Sequence, residues 1–189
     1  MTKNIMIVGV GGQGTLLTSR ILGKTAMEQG LDVKISEVHG MAQRGGSVVA
    51  RIRYGENVYS PLILEGTADA LLSLEAAEAL RSAHFLKKDG FAAVSTQRVI
   101  PVTVSTGAAV YPPDVETRLE KVFPDLKLVD CMNMAQSMGD IRLANIIMVG
   151  VLSNRLDIPQ DIWFTAIERS VKANFADINK KAFDAGRNI

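Results

Sequence analysis

Gly9, Gly11 and Gly14 stand in the run Gly9-Val10-Gly11-Gly12-Gln13-Gly14, directly behind the apolar stretch Ile5-Met6-Ile7-Val8. Their spacing is that of a turn that lets backbone amides approach a pyrophosphate at a helix N-terminus. An acid at the end of the second strand would complete a dinucleotide site, and Glu37 is placed to supply it. The same glycines could serve only the close packing of a strand against a helix. Gln13, where the turn meets the helix, could donate to a ligand or to a neighbouring chain, or satisfy the turn itself.

A second glycine-rich segment follows, His39-Gly40-Met41-Ala42-Gln43-Arg44-Gly45-Gly46. Gly40, Gly45 and Gly46 make the backbone permissive on both sides of Arg44. A guanidinium is a planar fork of donors, suited to an anion or to an interface, or to a carboxylate of its own domain. His39 could titrate near neutrality or be a satisfied structural histidine.

Catalytic machinery is not legible elsewhere. No Ser/His/Asp set or nucleophile elbow appears, and Glu65, Asp69 and Glu75 bracket an apolar strand without pairing as acid and base. Cys131 is the single cysteine, so the chain can form no internal disulfide and cannot by itself supply the four thiolates of an iron–sulfur cluster. Its neighbours Asp130 and Met132 bring no positive charge to activate it. Asp130 could face the crevice beyond a strand end or cap the next helix. The two histidines, His39 and His84, lie far apart, which argues against zinc.

The elements that must position these groups follow from periodicity. Ile5–Val8 is a strand, Thr15–Gln29 a helix stopped by Gly30, and Asp32–Val38 an alternating strand, together a βαβ unit. Ser47–Arg53 alternates, and Tyr54-Gly55-Glu56-Asn57 should turn it back through Val58-Tyr59 as a hairpin. Ala70–Leu74 reads as a buried strand and Glu75–Lys88 as a helix stopped by Gly90. Phe91–Ser95 and Val99–Val104 read as strands, the second bent at Pro101. Asp114–Val122 reads as a helix and Lys127–Val129 as a strand. Helices then run from about Ala135, with a break near Gly139-Asp140, and over Leu143–Asn154. The stretch Gln160–Ala185, with Ile167, Val171, Phe175 and Ile178 on one face, predicts a long C-terminal helix. The fold class is α/β: a three-layer α/β/α Rossmann-like domain over residues 1–189, with a mixed, mostly parallel sheet.

With 189 residues, 47% of them hydrophobic, the chain can bury one ordinary core. A net charge of +1 gives no electrostatic reason for nucleic acid or an anionic membrane as partner. The apolar run at the N-terminus is too short for a secretory signal, and no later run approaches the roughly twenty residues of a membrane span. The expectation is a cytoplasmic protein.

The two glycine motifs carry a resemblance. GVGGQG, HGMAQRGGSV and the alternating strand behind them are similar to the gamma-type subunit or domain of the 2-oxoacid:ferredoxin oxidoreductases. Tyr59-Ser60-Pro61-Leu62-Ile63, Ala68–Leu72 with Leu74-Glu75, and Val129-Asp130 with Ala135 and Gly139 follow that family's order. Asn145, Met148 and Gly150, then Asn179, Ala182-Phe183 and Gly186, extend the likeness over essentially the whole chain. Met41–Gly46 most resembles the small (beta) subunit of the indolepyruvate branch, lacking the Tyr-Gly-Pro-type residues seen ahead of Arg-Gly-Gly in pyruvate and 2-oxoglutarate relatives. The resemblance implies a chain with no catalytic residues, cofactor or metal of its own. Thiamine diphosphate and [4Fe-4S] clusters would sit on a large alpha subunit, and the complex would oxidatively decarboxylate aryl pyruvates with coenzyme A and ferredoxin. Gly11, Gly12, Gln13, His39, Gln43 and Arg44 are the residues expected to face a ligand or the partner. The alternative is a stand-alone NAD-dependent oxidoreductase built on GVGGQG and Glu37.

Overall fold

The computed structural model describes residues 2–39 and 45–189. Six strands form one sheet in the order β2-β3-β1-β4-β5-β6. They are β1 (Lys3–Val10), β2 (Asp32–His39), β3 (Ser47–Gly55), β4 (Ala68–Ser73), β5 (Leu86–Ser95) and β6 (Asp125–Val129). β1, β4, β5 and β6 pair in parallel, and β3 pairs antiparallel with β1 on one side and β2 on the other. The sheet is therefore mixed and mostly parallel, as the sequence predicts.

Alternation along the strands builds two cores. Ile5 and Ile7 of β1, Leu72 of β4 and Ala93 of β5 face one side; Met6, Val8, Leu71, Ala92 and Val94 face the other. Successive side chains of a strand point to opposite faces, so both faces need a helical cover. The first is covered by α1 (Thr15–Glu28), α5 (Cys131–Ser137), α6 (Ala144–Ser153), α7 (Gln160–Glu168) and α8 (Ala176–Arg187). The second is covered by α2 (Ala76–Ser82) and α4 (Val115–Val122). Three layers result.

Several local expectations are corrected, and strand-edge occupancy explains most of them. β2 does not neighbour β1, because β3 lies between them in continuous register from Lys3↔Tyr54 to Val10↔Ser47. The hairpin is therefore β2–β3, with the His39–Gly46 segment as its connection, and no strand returns through Val58-Tyr59. Both edges of β3 are already filled. The chain leaves along an irregular path in which the Arg53 guanidinium donates to the carbonyls of Ser60 and Leu62, and Tyr59 is 94% exposed.

Gly90 does not stop a helix but lies inside β5. α2 ends at Ser82, and β5 bulges between the pairs Ala68↔Leu86 and Ala70↔Phe91. Val99–Val104 is not a strand, since β5 already has β4 and β6 on its edges. Pro101, fixed at φ −66°, instead leads into the short helix α3 (Val102–Ser105).

α5 begins earlier than expected, at Cys131, because the Asp130 carboxylate caps it by accepting from Asn133 N–H. The break near Gly139-Asp140 is present, with Gly139 at φ +92°. The long C-terminal helix is in fact two, α7 and α8, separated at an extended Lys172 (ψ 144°). Each packs on a different partner, α7 against α1 and α8 against α6, which one straight helix could not do.

Candidate functional site

The parallel strands end on one side of the sheet, and both glycine motifs meet there. Gly11 N–H donates to the carbonyl of Gly46 at 2.8 Å, and Gly45 N–H donates to the carbonyl of Gly11 at 3.4 Å. These bonds prolong the β1–β3 ladder past Val10↔Ser47. Gly12 (φ +101°) and Gly14 (φ +87°) then turn the chain into α1 through backbone angles that favour glycine. A Cβ at Gly14 would in addition lie 2.1 Å from Nδ2 of Asn145.

Gln13 ties three strand ends together. Its Oε1 accepts from Val10 N–H at 2.6 Å, while Nε2 donates to the Leu74 carbonyl and to Gln97 Oε1, both at 2.8 Å. Of the sequence-predicted site residues, Gly11, Gly12 and Gln13 are thus brought together. His39 is described only in its backbone, opposite Val48 at the end of β2. Gln43 and Arg44 lie outside the described residues.

Beside the turn opens a cleft of about 370 Å³, lined by Gly12, Gly14, Leu74, Gln97, Met132 and Asn145 among others. It sits where the chain's connections divide. β1 feeds α1 on one face of the sheet and the neighbouring β4 feeds α2 on the other. In α/β sheets a crevice opens at such a point, outside the carboxyl ends of the strands. Gln97 was not singled out from sequence, and Asn145 was named there only for the family likeness. Lone amides in a loop and near a helix start carry no local signal.

The carboxylates around this end are engaged in holding it. Glu75, 1% exposed, accepts from Glu78 N–H, Val99 N–H and the Tyr111 hydroxyl, the last at 2.6 Å. Burial, with the Glu75 carboxylate beside it, pushes the Tyr111 phenol well above its ordinary value. Glu78 accepts from Ser47 Oγ at 2.5 Å and faces Arg81 at 3.3 Å, clamping the start of β3 to α2.

Glu37, the acid the NAD reading requires, accepts from Ser19 Oγ at 2.5 Å. β3 separates its strand from β1, so it does not stand beside the glycine turn as a dinucleotide acid must. The NAD reading is not supported. Cys131 is buried and its thiol bonds Ser95 Oγ at 3.2 Å; burial pushes its pKa up, the reverse of activation. Among the described residues no cluster of three or more His, Cys, Asp or Glu is placed to hold a metal ion.

Three comparisons bear on this arrangement. The family model for pyruvate ferredoxin/flavodoxin oxidoreductase matches residues 4–189. The chain is 42% identical to indolepyruvate oxidoreductase subunit IorB of Archaeoglobus fulgidus, covering 100% of this chain and 95% of that one. It is 39% identical to the IorB subunit of Pyrococcus horikoshii, covering 97% and 93%. Among solved structures it superposes on the gamma subunit of the keto/oxoacid ferredoxin oxidoreductase from Geobacter sulfurreducens with TM-score 0.73 at 22% identity, over 98% of this chain and 96% of that one. It also superposes on 2-oxoglutarate:ferredoxin oxidoreductase from Magnetococcus marinus, TM-score 0.73 at 15% identity, over 99% of this chain but 30% of that longer one. These two likenesses show the fold.

Proposed function

Since the chain belongs to the pyruvate ferredoxin/flavodoxin oxidoreductase family, we propose that it is the small subunit of an indolepyruvate:ferredoxin oxidoreductase. The observation that carries this is the 42% identity to an indolepyruvate oxidoreductase subunit over the full chain. The reaction converts an aryl pyruvate and coenzyme A into an aryl-acetyl-CoA, carbon dioxide and one proton, and hands two electrons to ferredoxin. Thiamine diphosphate and the [4Fe-4S] clusters belong, on this reading, to a large subunit. The lone Cys131, buried at 1% exposure, supports that division, because four thiolates are needed for a cluster.

The small subunit contributes shape rather than bond-breaking. Gln13 and the Gly11–Gly46 ladder lock the strand ends beside Gly45. Gly11, Gly12, Gln13, His39, Gln43 and Arg44 are the residues we assign to the side that meets the large subunit. In Magnetococcus marinus the same fold is part of a chain about three times as long, which fits a unit that works against other domains. Among the described residues no helix is long and apolar enough to cross a membrane. The proposal places the complex in the cytoplasm, with ferredoxin as its electron acceptor and neither nucleic acid nor membrane as partner.

Co-expression with the large subunit tests it. The complex should be brown and should reduce ferredoxin or a viologen with indolepyruvate and coenzyme A, while the small chain alone is colourless and inactive. Equal activity from the large chain alone would overturn the proposal.

A further inference from the structure

We propose that the uncovered face of the β2–β3 hairpin is the seat for an acidic amphipathic helix of the large subunit, which rests on the small-subunit reading above. The register defines the face. Lys34, Ser36 and Val38 of β2 stand opposite Arg53, Arg51 and Val49 of β3. Val49 in turn stands opposite Val8 of β1, in the core beneath α2 and α4. Residues opposite one another share a face, so all of these point to the same side of the sheet. α2 packs on β1, β4 and β5, whereas the helix that packs on β2 and β3 is α1, on the other side. The second helical layer therefore stops at β1, and Val38 is left 55% exposed.

The charge on this face does not balance. Lys34 is the direct cross-strand partner of Arg53, an arrangement of like charges that destabilises a sheet. Asp32 holds Lys34 at 2.5 Å. The Arg53 guanidinium, however, donates to Asn4 Oδ1 and to the Ser60 and Leu62 carbonyls, all of them neutral. Arg51 stacks over the Phe85 ring at 5.4 Å. Among the described residues neither arginine forms an ion pair with a carboxylate. Met1 and Gly40–Arg44, outside the described residues, include no acid, so they cannot supply the missing negative charge. A partner that brings carboxylates to this face would.

A helix laid along the strands matches the spacing. Two residues of strand put Arg51 and Arg53 about 6.6 Å apart, and carboxylates at i and i+4 of a helix are separated by a rise of about 6 Å. An apolar residue one turn before them would lie on Val38 and Val49. One turn after them, an apolar residue would meet Leu62, 61% exposed, whose carbonyl Arg53 holds. The occupant therefore reads apolar, acid, acid, apolar at four-residue steps. The face also runs up to the His39–Gly46 connection, which begins one pair beyond Val38↔Val49. It thus adjoins the residues assigned above to the side that meets the large subunit.

The test mixes the full chain with the separately purified large subunit at low and at high salt and follows association by titration calorimetry. Wild-type association should weaken as salt rises, the mark of opposite charges meeting. Arg51→Glu reverses a charge on the seat, and Val38→Glu puts a carboxylate on its exposed apolar end. Each should weaken association about tenfold or more, and Arg51→Glu should flatten the salt dependence. Lys121→Glu, exposed on α4, should change neither. Thermal melts of the isolated variants check folding, and Val38→Glu carries the test if Arg51→Glu does not fold. If the wild-type chain does not bind the large subunit, the small-subunit reading falls and the seat with it. If it binds, and both seat variants bind equally well, the seat alone is overturned. Binding insensitive to salt would overturn the acidic chemistry of the occupant. An isolated chain that sediments as a dimer broken by Val38→Glu would give the face to a second copy instead, and overturn the proposal.

Discussion

Gly11 and Gly46 are hydrogen-bonded neighbours, Gly11 N–H to the Gly46 carbonyl at 2.8 Å, although 35 residues separate them in the chain. Through this contact the strand–turn–helix motif and the arginine-bearing segment form one feature at one end of the sheet. The segment's two ends are anchored, at His39 opposite Val48 and at Gly45 on Gly11.

Arg44→Ala should weaken association with the large subunit by about tenfold or more, the scale of one charge-assisted hydrogen bond. Thermal stability of the isolated chain should stay the same. Sedimentation or titration calorimetry of the two subunits checks it, and unchanged association would remove Arg44 from the interface.

Gln13→Ala should destabilise the chain by about 1–2 kcal/mol, because it strips the Val10 amide and the Leu74 carbonyl of their partner. A urea melt measures this directly. No loss of stability would mean that water replaces the amide without penalty and that Gln13 is not the tie between the strand ends.

Gly150→Ala should cost at least about 3 kcal/mol, at the upper end of overpacking penalties because backbone is struck. A Cβ at Gly150 would lie 2.0 Å from the Phe183 carbonyl oxygen, and one at Gly186 would lie 1.9 Å from that of Ile147. The two glycines let α6 and α8 cross in contact. Gly30→Ala is a useful contrast: nothing lies within 4 Å of its added Cβ, and its φ of +76° supplies the only strain. Its melting temperature should fall much less than that of Gly150→Ala.

Stability should fall as pH rises through the alkaline range. Burial raises the folded-state pKa of Cys131 above 9.0 and those of Tyr54 and Tyr111 above 10.0. The unfolded chain then loses protons that the folded chain keeps, so the stability is fully present below about pH 9 and declines above it. Urea midpoints from pH 7 to pH 10.5 should show that decline. In the same range Cys131 should react with iodoacetamide more slowly in the native chain than in urea.

What was legible in the sequence was local. The glycine spacing marks the β1–α1 turn correctly, and alternation identifies the strands that line both cores. Errors fell where an apolar stretch needed knowledge of its neighbours. Val99–Val104 and Val58-Tyr59 have strand-like composition, but the edges they would join were already taken. Glu75–Lys88 has helical periodicity, yet α2 stops at Ser82 and the last three residues, Leu86–Lys88, already belong to the bulged strand β5. At the site, Gln13 was visible because it interrupts glycines. Gln97 was not, and Glu75 and Asn145 carried no role at the site, since each gains its meaning from a group between 24 and 131 residues away.

By itself the sequence determined the class of fold, the absence of a cluster-forming cysteine set and the likeness to the gamma-type subunits. Those follow from composition, period and motif, which are properties of short stretches or of the whole count. Only the tertiary structure decided that β3 stands between β1 and β2. That insertion carries Glu37 away from the glycine turn and brings Gly46 onto Gly11. The physical reason is edge pairing: β3 can satisfy its backbone amides and carbonyls on two strands at once, and no local pattern says which two.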